Sequence, residues 1–216
     1  YRARRETGSD KLFLFGVTMQ NHGGYKDAGY ESTISLEGYS KEYPEAEQYL
    51  SLIHETDKAL KNLITELKKS DHDVIVVFFG DHFPALDDSF FVELHGGNFS
   101  SIDENNLKYT VPFFIWTNYD SDEIELPLTS LNFLSNYVYK KAQIAMPNYN
   151  RFLTQVEKTI PAMNSQGYYS ASEKKFKPWR KAEGIEKDLL NQYWTLEYHS
   201  LFDLENLNPS LFPLPK

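Results

Sequence analysis

The chain has 216 residues, 25% of them charged and 41% hydrophobic, with a formal net charge of −9 and no cysteine. That balance belongs to a globular chain rather than a disordered one. The negative charge argues against a nucleic-acid partner, and the missing thiols exclude disulfides, thiolate zinc sites and a cysteine nucleophile among these residues.

Residues 1–10 are polar and basic and predict a lead-in loop. Residues 11–18 are nearly all apolar, the pattern of a strand buried on both faces. They run into Met19-Gln20-Asn21-His22-Gly23-Gly24-Tyr25, where the glycine pair permits a tight turn and close backbone approach to a ligand. The chain does not begin with Met and reaches this strand almost at once, so it reads as a piece of something longer. No stretch of it has the roughly 18 consecutive apolar residues of a membrane-spanning helix.

Residues 26–42 predict a surface loop. Pro44 suits the first turn of a helix. Ala46, Leu50, Ile53, Leu60, Ile64 and Leu67 then make an amphipathic stripe broken only by Asp57. Residues 74–79 are again apolar without a break and predict a second strand, closed by Gly80-Asp81-His82. Strand, helix and strand in this order predict a right-handed parallel crossover, with His22 and His82 on one edge of a parallel sheet. Residues 83–89 predict a loop and 90–106 a lid-like segment. Residues 109–116 predict a third strand, at an edge or bulge because of Pro112. Residues 128–144 predict a helix. Beyond Met146, prolines interrupt shorter apolar runs, and 149–160 and 183–199 predict helices. The expected organisation is a domain over 1–145 and a mainly helical extension over 146–216 packed on it.

Asp81-His82 is the first candidate for chemistry. A carboxylate and an imidazole at a strand end can converge on one ion, and ligands in open α/β sheets bind outside the carboxyl ends of strands. The alternative is a strand-end Asp capping the next loop beside a surface His. His22 can bind an anionic oxygen, exchange protons or ligate a metal, or simply hydrogen bond its own turn. No phosphate-binding glycine loop, nucleophile elbow or aromatic–basic interleaving is present. Lys174, Lys175, Lys177, Arg180 and Lys181, with Trp179, form a local basic patch that is either a solvated face or a surface for an anionic membrane.

Four segments in order carry a resemblance: residues 17–25, the helical 49–60 with His54, residues 76–82 ending in Gly80-Asp81-His82, and 110–116. Together they resemble the sulfatase-like domain of the lipoteichoic acid synthase family, in the alkaline phosphatase superfamily, over about residues 11–145. The tail over 149–203 is also similar to tails in that family.

The resemblance implies an α/β fold, the carboxyl-terminal part of a mostly parallel sheet flanked by helices. It implies a bacterial enzyme of the cell membrane whose catalytic domain faces outward, anchored by a segment not in this chain. Its activity would be transfer of phosphoglycerol from a glycerophospholipid head group through a covalent threonine, in cell-envelope polymer synthesis. The cofactor would be one divalent ion, manganese first, then magnesium or zinc. Asp81 and His82 match the family's metal ligands, and His22 matches the histidine that contacts the substrate phosphate. The nucleophile and an acidic ligand have no match here and are expected upstream, so the chain alone is expected to be inactive. Two other readings stay open: a sulfatase or other phosphoester hydrolase on the same fold, and a non-catalytic binding module in which Asp81 and His82 are structural.

Overall fold

The computed structural model describes residues 11–27, 29–39, 42–96, 106–107 and 109–215. The chain divides into two compact units, one of residues 1–63 with 84–91, the other of 64–83 with 92–216.

In the first unit the dominant element is α1 (Pro44–Leu67), which continues to its end in the second. Proline opens it and Glu45 and Glu47 lie in its first turn, where anionic groups suit the helix dipole. Its stripe is only partly covered: Ala46 is buried, Leu50 and Leu60 are half-buried, and Ile53 is exposed. Asp57 is exposed, as a solvated stripe edge should be. The buried Ser51 fastens the preceding loop to α1. Its hydroxyl accepts from the Thr33 and Ile34 amides at 2.9 and 3.0 Å and donates to the Glu47 carbonyl at 2.8 Å.

Residues 11–19 form no strand. Phe13, Leu14, Phe15, Val17 and Met19 are 65–89% exposed. A strand needs a ladder to satisfy its backbone, and among the described residues none pairs with this run.

The second unit contains β1 (Ile75–Phe79) and β2 (Phe113–Thr117). They pair antiparallel, Ile75 opposite Thr117 and Phe79 opposite Phe113. The parallel crossover expected between 11–18 and 74–79 is not formed among the described residues, because 11–18 is not a strand. A continuous apolar run signals burial on both faces but carries no information on strand direction. Phe78 stacks on Phe114 across the pair, with ring centroids 5.4 Å apart. Pro112 sits just before β2 and its carbonyl accepts from Gly80 N–H at 3.1 Å. Asn118 clips the other end. Its side chain accepts from Val74 N–H at 2.7 Å and donates to the His72 and Ser70 carbonyls at 2.9 and 3.3 Å.

A helix α2 (Asp88–His95) takes the first part of the expected lid; residues 97–105 lie outside the described residues. A 3₁₀ turn (Leu131–Phe133) leads into α3 (Leu134–Lys141), followed by α4 (Asn148–Thr159). The tail is mainly helical, with a small sheet inserted between its helices. It holds an antiparallel meander of β3 (Ala162–Met163), β4 (Gly167–Ser170) and β5 (Lys175–Pro178), then a 3₁₀ turn (Trp179–Lys181) and α5 (Gly184–Phe202). Gly167 is required there, because a Cβ would stand 2.1 Å from the Lys177 carbonyl oxygen. The core of this unit is Phe133, Leu153, Val156, Ile160, Tyr168 and Leu190, all 0–1% exposed. On α4, Leu153, Val156 and the following Ile160 recur at three and four residues, so one face meets the meander and α5.

A charged network joins the meander to α5. The Tyr168 hydroxyl donates to Glu186 at 2.7 Å, and Lys177 Nζ lies 2.9 Å from the same carboxylate oxygen and also meets Glu173. Lys177 and Glu186 side chains are only 12% and 7% exposed. Burial works to raise the Glu186 carboxyl, but hydrogen bonds from Ser170, Tyr168 and Lys177 outweigh it and hold it below its ordinary value. Burial first, and the Glu186 carboxylate second, push the Tyr168 hydroxyl up to about 12.

Candidate functional site

Asp81 and His82 follow β1 directly. Gly80 lets the chain turn against the second strand: a Cβ there would come within 3.1 Å of Val111 Cβ. Once past the ladder, the two side chains need not point to opposite faces. They converge. The Asp81 Oδ1 accepts from the His82 backbone N–H at 2.9 Å, and His82 Nδ1 lies 2.8 Å from the Phe83 carbonyl oxygen. A proton on Nδ1 donates to that carbonyl and leaves the Nε2 lone pair outward. This is the arrangement that orients metal-binding histidines. The two atoms left over, Asp81 Oδ2 and His82 Nε2, are 3.4 Å apart.

That separation fits two neighbouring ligands on one ion. Bonds of about 2.1 Å at right-angled to tetrahedral angles put adjacent donors roughly 3.0–3.4 Å apart. A hard oxygen and an imidazole nitrogen suit manganese, magnesium or zinc. Both side chains are open to solvent, 80% and 73% exposed. Among the described residues no third histidine, aspartate or glutamate joins them. The pair presents two donor atoms, one oxygen and one nitrogen, with its other hydrogen bonds already made.

His22 lies in the first unit, in a turn whose N–H reaches the Met19 carbonyl at 3.1 Å. The turn is tied to α1 on three sides. Gln20 donates to the Leu52 carbonyl at 3.3 Å, Asn21 donates to Thr56 Oγ1 at 2.9 Å, and the buried Tyr25 packs edge-on to Tyr49 while donating to the Asn21 carbonyl at 2.7 Å. Among the described residues the parallel edge expected to carry His22 and His82 is not formed, because residues 11–18 enter no ladder. The same unit has a cavity of about 390 Å³ lined by Lys26, Tyr43, Glu45, Asp87 and Phe90. Lys26 and Glu45 pair there at 3.3 Å, and Tyr43 meets Phe90 edge-on at 5.2 Å. The Ser89 hydroxyl and amide hold the Asp87 carboxyl below its usual range.

Sequence reasoning names Asp81, His82 and His22 as candidates but not what positions them. Asn21 and Tyr25, flanking His22, were the available signal, since a polar tip on a buried ring needs a partner. The Phe83 carbonyl left no signal at all.

A sulfatase family model matches residues 3–144. The chain belongs to the sulfatase family. That places it in the alkaline phosphatase superfamily, whose members are generally dependent on divalent metals. It is 32% identical over 161 residues to a putative cyclic beta-1,2-glucan modification protein of Rhizobium meliloti (strain 1021), covering 68% of this chain and 24% of that protein. It is 36% identical over 74 residues to the capsular polysaccharide biosynthesis protein RkpI of the same organism, covering 34% of this chain and 12% of the relative. Among solved structures it is similar to the Streptococcus pyogenes phosphoglycerol transferase GacH in complex with sn-glycerol-1-phosphate. The TM-score is 0.55 at 22% identity, covering 79% of this chain and 39% of GacH. This sulfatase-family chain therefore spans about a quarter or less of its curated relatives' length. Its mixed α/β architecture is that of part of an alkaline phosphatase-like fold.

Proposed function

We propose that the chain is part of a divalent-metal-dependent phosphoglycerol transferase acting on glycerophospholipid head groups, in the synthesis or decoration of cell-envelope polymers. The observation that carries the reading is the convergence of Asp81 Oδ2 and His82 Nε2 at 3.4 Å, within a superfamily generally dependent on divalent metals. Support comes from GacH, a phosphoglycerol transferase in complex with sn-glycerol-1-phosphate. The relatives named for glucan modification and capsular polysaccharide biosynthesis support a saccharide hydroxyl as acceptor.

In this reading Asp81 and His82 hold one side of the ion, with manganese preferred over magnesium or zinc. The ion, when bound, neutralises phosphoryl charge and lowers the pKa of a hydroxyl beside it. His82 keeps Nε2 available because Nδ1 is committed to Phe83. His22, held by its fastened turn, donates to a phosphate oxygen. A threonine and an acidic ligand outside these residues complete the centre. The threonine oxygen bonds to phosphorus as the diacylglycerol oxygen departs with a proton. The acceptor hydroxyl then displaces the threonine and returns its proton. The whole enzyme sits in the bacterial cell membrane with this part on the outer face, anchored by a segment outside these residues.

The test has two parts. Manganese titrated into the 216-residue chain should bind weakly, and Asp81→Asn/His82→Ala should abolish that binding; unchanged binding in the variant would remove the pair from the metal site. The full-length protein should transfer phosphoglycerol from a labelled phosphatidylglycerol and lose activity to a chelator, while the 216 residues alone should not turn over. The family description favours a second reading, sulfate-ester hydrolysis. A full-length protein that cleaves sulfate esters and leaves phosphodiesters intact would decide for it.

A further inference from the structure

Helix α5 has a second face that the core does not use. Its inner side is committed: Leu190 and Glu186 are buried, and Glu197 accepts from the Tyr149 hydroxyl at 2.6 Å. Next to that side around the helix, Trp194, Tyr198, Leu201 and Phe202 are 42–76% exposed. Their spacing of four, three and one residues keeps them within about 100° of one another around the helix. The rings form two pairs, Tyr198 with Phe202 at 5.8 Å and Trp194 edge-on to Trp179 at 5.2 Å.

Where the stripe reaches Trp179, it meets cations. Arg180 and Lys181 follow Trp179 in its 3₁₀ turn, and both are exposed. Lys187 lies on the same helical face, seven residues before Trp194, and is also exposed. Among the described residues no carboxylate is within ion-pair distance of Arg180, Lys181 or Lys187, unlike Lys175 and Lys177, which are paired to Glu173. Of the nearby acids, Asp188 falls about 120° around the helix from Trp194 and about 40° past Phe202, at the edge of the stripe, and Asp203, just beyond α5, is engaged by His199 at 2.9 Å. In a chain of net charge −9, unpaired cations are gathered beside an exposed aromatic stripe.

We propose that this face docks on an anionic lipid bilayer. Indole and phenol rings favour the headgroup layer because an apolar body and a polar tip are both satisfied there. Leu201 and Phe202 add apolar area that can enter the acyl boundary, as on interfacial amphipathic helices. Arg180, Lys181 and Lys187 meet lipid phosphates. The acidic remainder of the chain is repelled by the same surface, so the charge distribution selects one orientation. The proposal rests on this surface alone and not on the transfer reading. A failure here leaves that reading where it stands, since activity decides it.

The experiment is cosedimentation of the 216-residue chain with vesicles of phosphatidylcholine alone or mixed with phosphatidylglycerol, with tryptophan emission recorded in parallel. The chain should pellet with the anionic vesicles, shift its emission to the blue, lose binding as salt is raised, and ignore pure phosphatidylcholine. Arg180→Glu/Lys181→Glu and Leu201→Ser/Phe202→Ser change exposed residues outside the core and should each weaken partitioning by about tenfold or more. Unchanged far-ultraviolet dichroism confirms that they fold. No pelleting with anionic vesicles, or pelleting that neither variant weakens, overturns the proposal. So does a dimer in solution that Leu201→Ser/Phe202→Ser dissolves without any vesicle binding, which would give the face to a second copy.

Discussion

Lys177 is the side chain whose removal tests the tail most sharply. It is nearly buried and neutralises a nearly buried Glu186. Lys177→Met keeps most of the stem's volume and removes only the charge. Breaking a buried pair from one side costs about 3–5 kcal/mol, because the remaining charge is left uncompensated. The lower end applies here: the Tyr168 hydroxyl still donates to Glu186 at 2.7 Å. The lost Glu173 contact adds little, as Glu173 is 41% exposed and keeps Lys175 at 2.8 Å. A loss of about 3 kcal/mol lowers the unfolding temperature of a unit this size by roughly 6–12 °C. All three tryptophans, Trp116, Trp179 and Trp194, lie in the second unit, so tryptophan fluorescence during urea or thermal unfolding reads that unit alone. The pH dependence supplies an independent sign. The folded Glu186 carboxyl sits below its ordinary value of 4.5. Its stabilisation is therefore present above that pH and lost as pH falls through the folded value. Without Lys177, burial acts with less opposition and Glu186 takes its proton at higher pH. The deficit of the variant should shrink between pH 7 and pH 4. A deficit below about 1 kcal/mol at pH 7, or one that does not change with pH, would refute this account of the pair.

Gly167→Ala should be among the most damaging single-methyl changes in the chain. The new Cβ would have to be relieved by moving the Lys177 backbone, costing about 1–3 kcal/mol or more and visible as the same fluorescence transition at lower urea. Ser51→Ala strands two amides, those of Thr33 and Ile34, and should cost about 1–3 kcal/mol. Amide exchange at these two positions should accelerate while exchange in the second unit stays as it was.

The sequence yields its long helix and its tail helices almost to the residue. The helix expected from Pro44 ends at Leu67, and those expected over 149–160 and 183–199 are found at Asn148–Thr159 and Gly184–Phe202. Periodicity and proline suffice for that, since a helix satisfies its own backbone. Strands depend on partners, and there the reading thins. The run 74–79 is correctly a strand, but its direction relative to 113–117 is carried by tertiary pairing. The run 11–18 has every propensity of a strand and no ladder. The meander of the tail was missed because its strands are two to four residues long and rich in lysine, serine and glycine, below the length at which alternation can be read. At the candidate site, a polar pair at a strand end is what made Asp81 and His82 candidates. The atoms that orient them are a backbone carbonyl and a backbone amide, which no residue type announces.

The Asn118 clip has a consequence for that pair, although it sits at the far end of the ladder. The facing surfaces of β1 and β2 are almost uniformly apolar, Val-Val-Phe-Phe against Phe-Phe-Ile-Trp. Side chains so alike discriminate poorly against a slipped alignment, and a slip of one residue turns every side chain to the opposite face. Asn118 engages Val74, His72 and Ser70 at once, and a displaced strand cannot satisfy all three. A single amide thus fixes which residue of the strand comes last, and so which way Asp81 and His82 leave it.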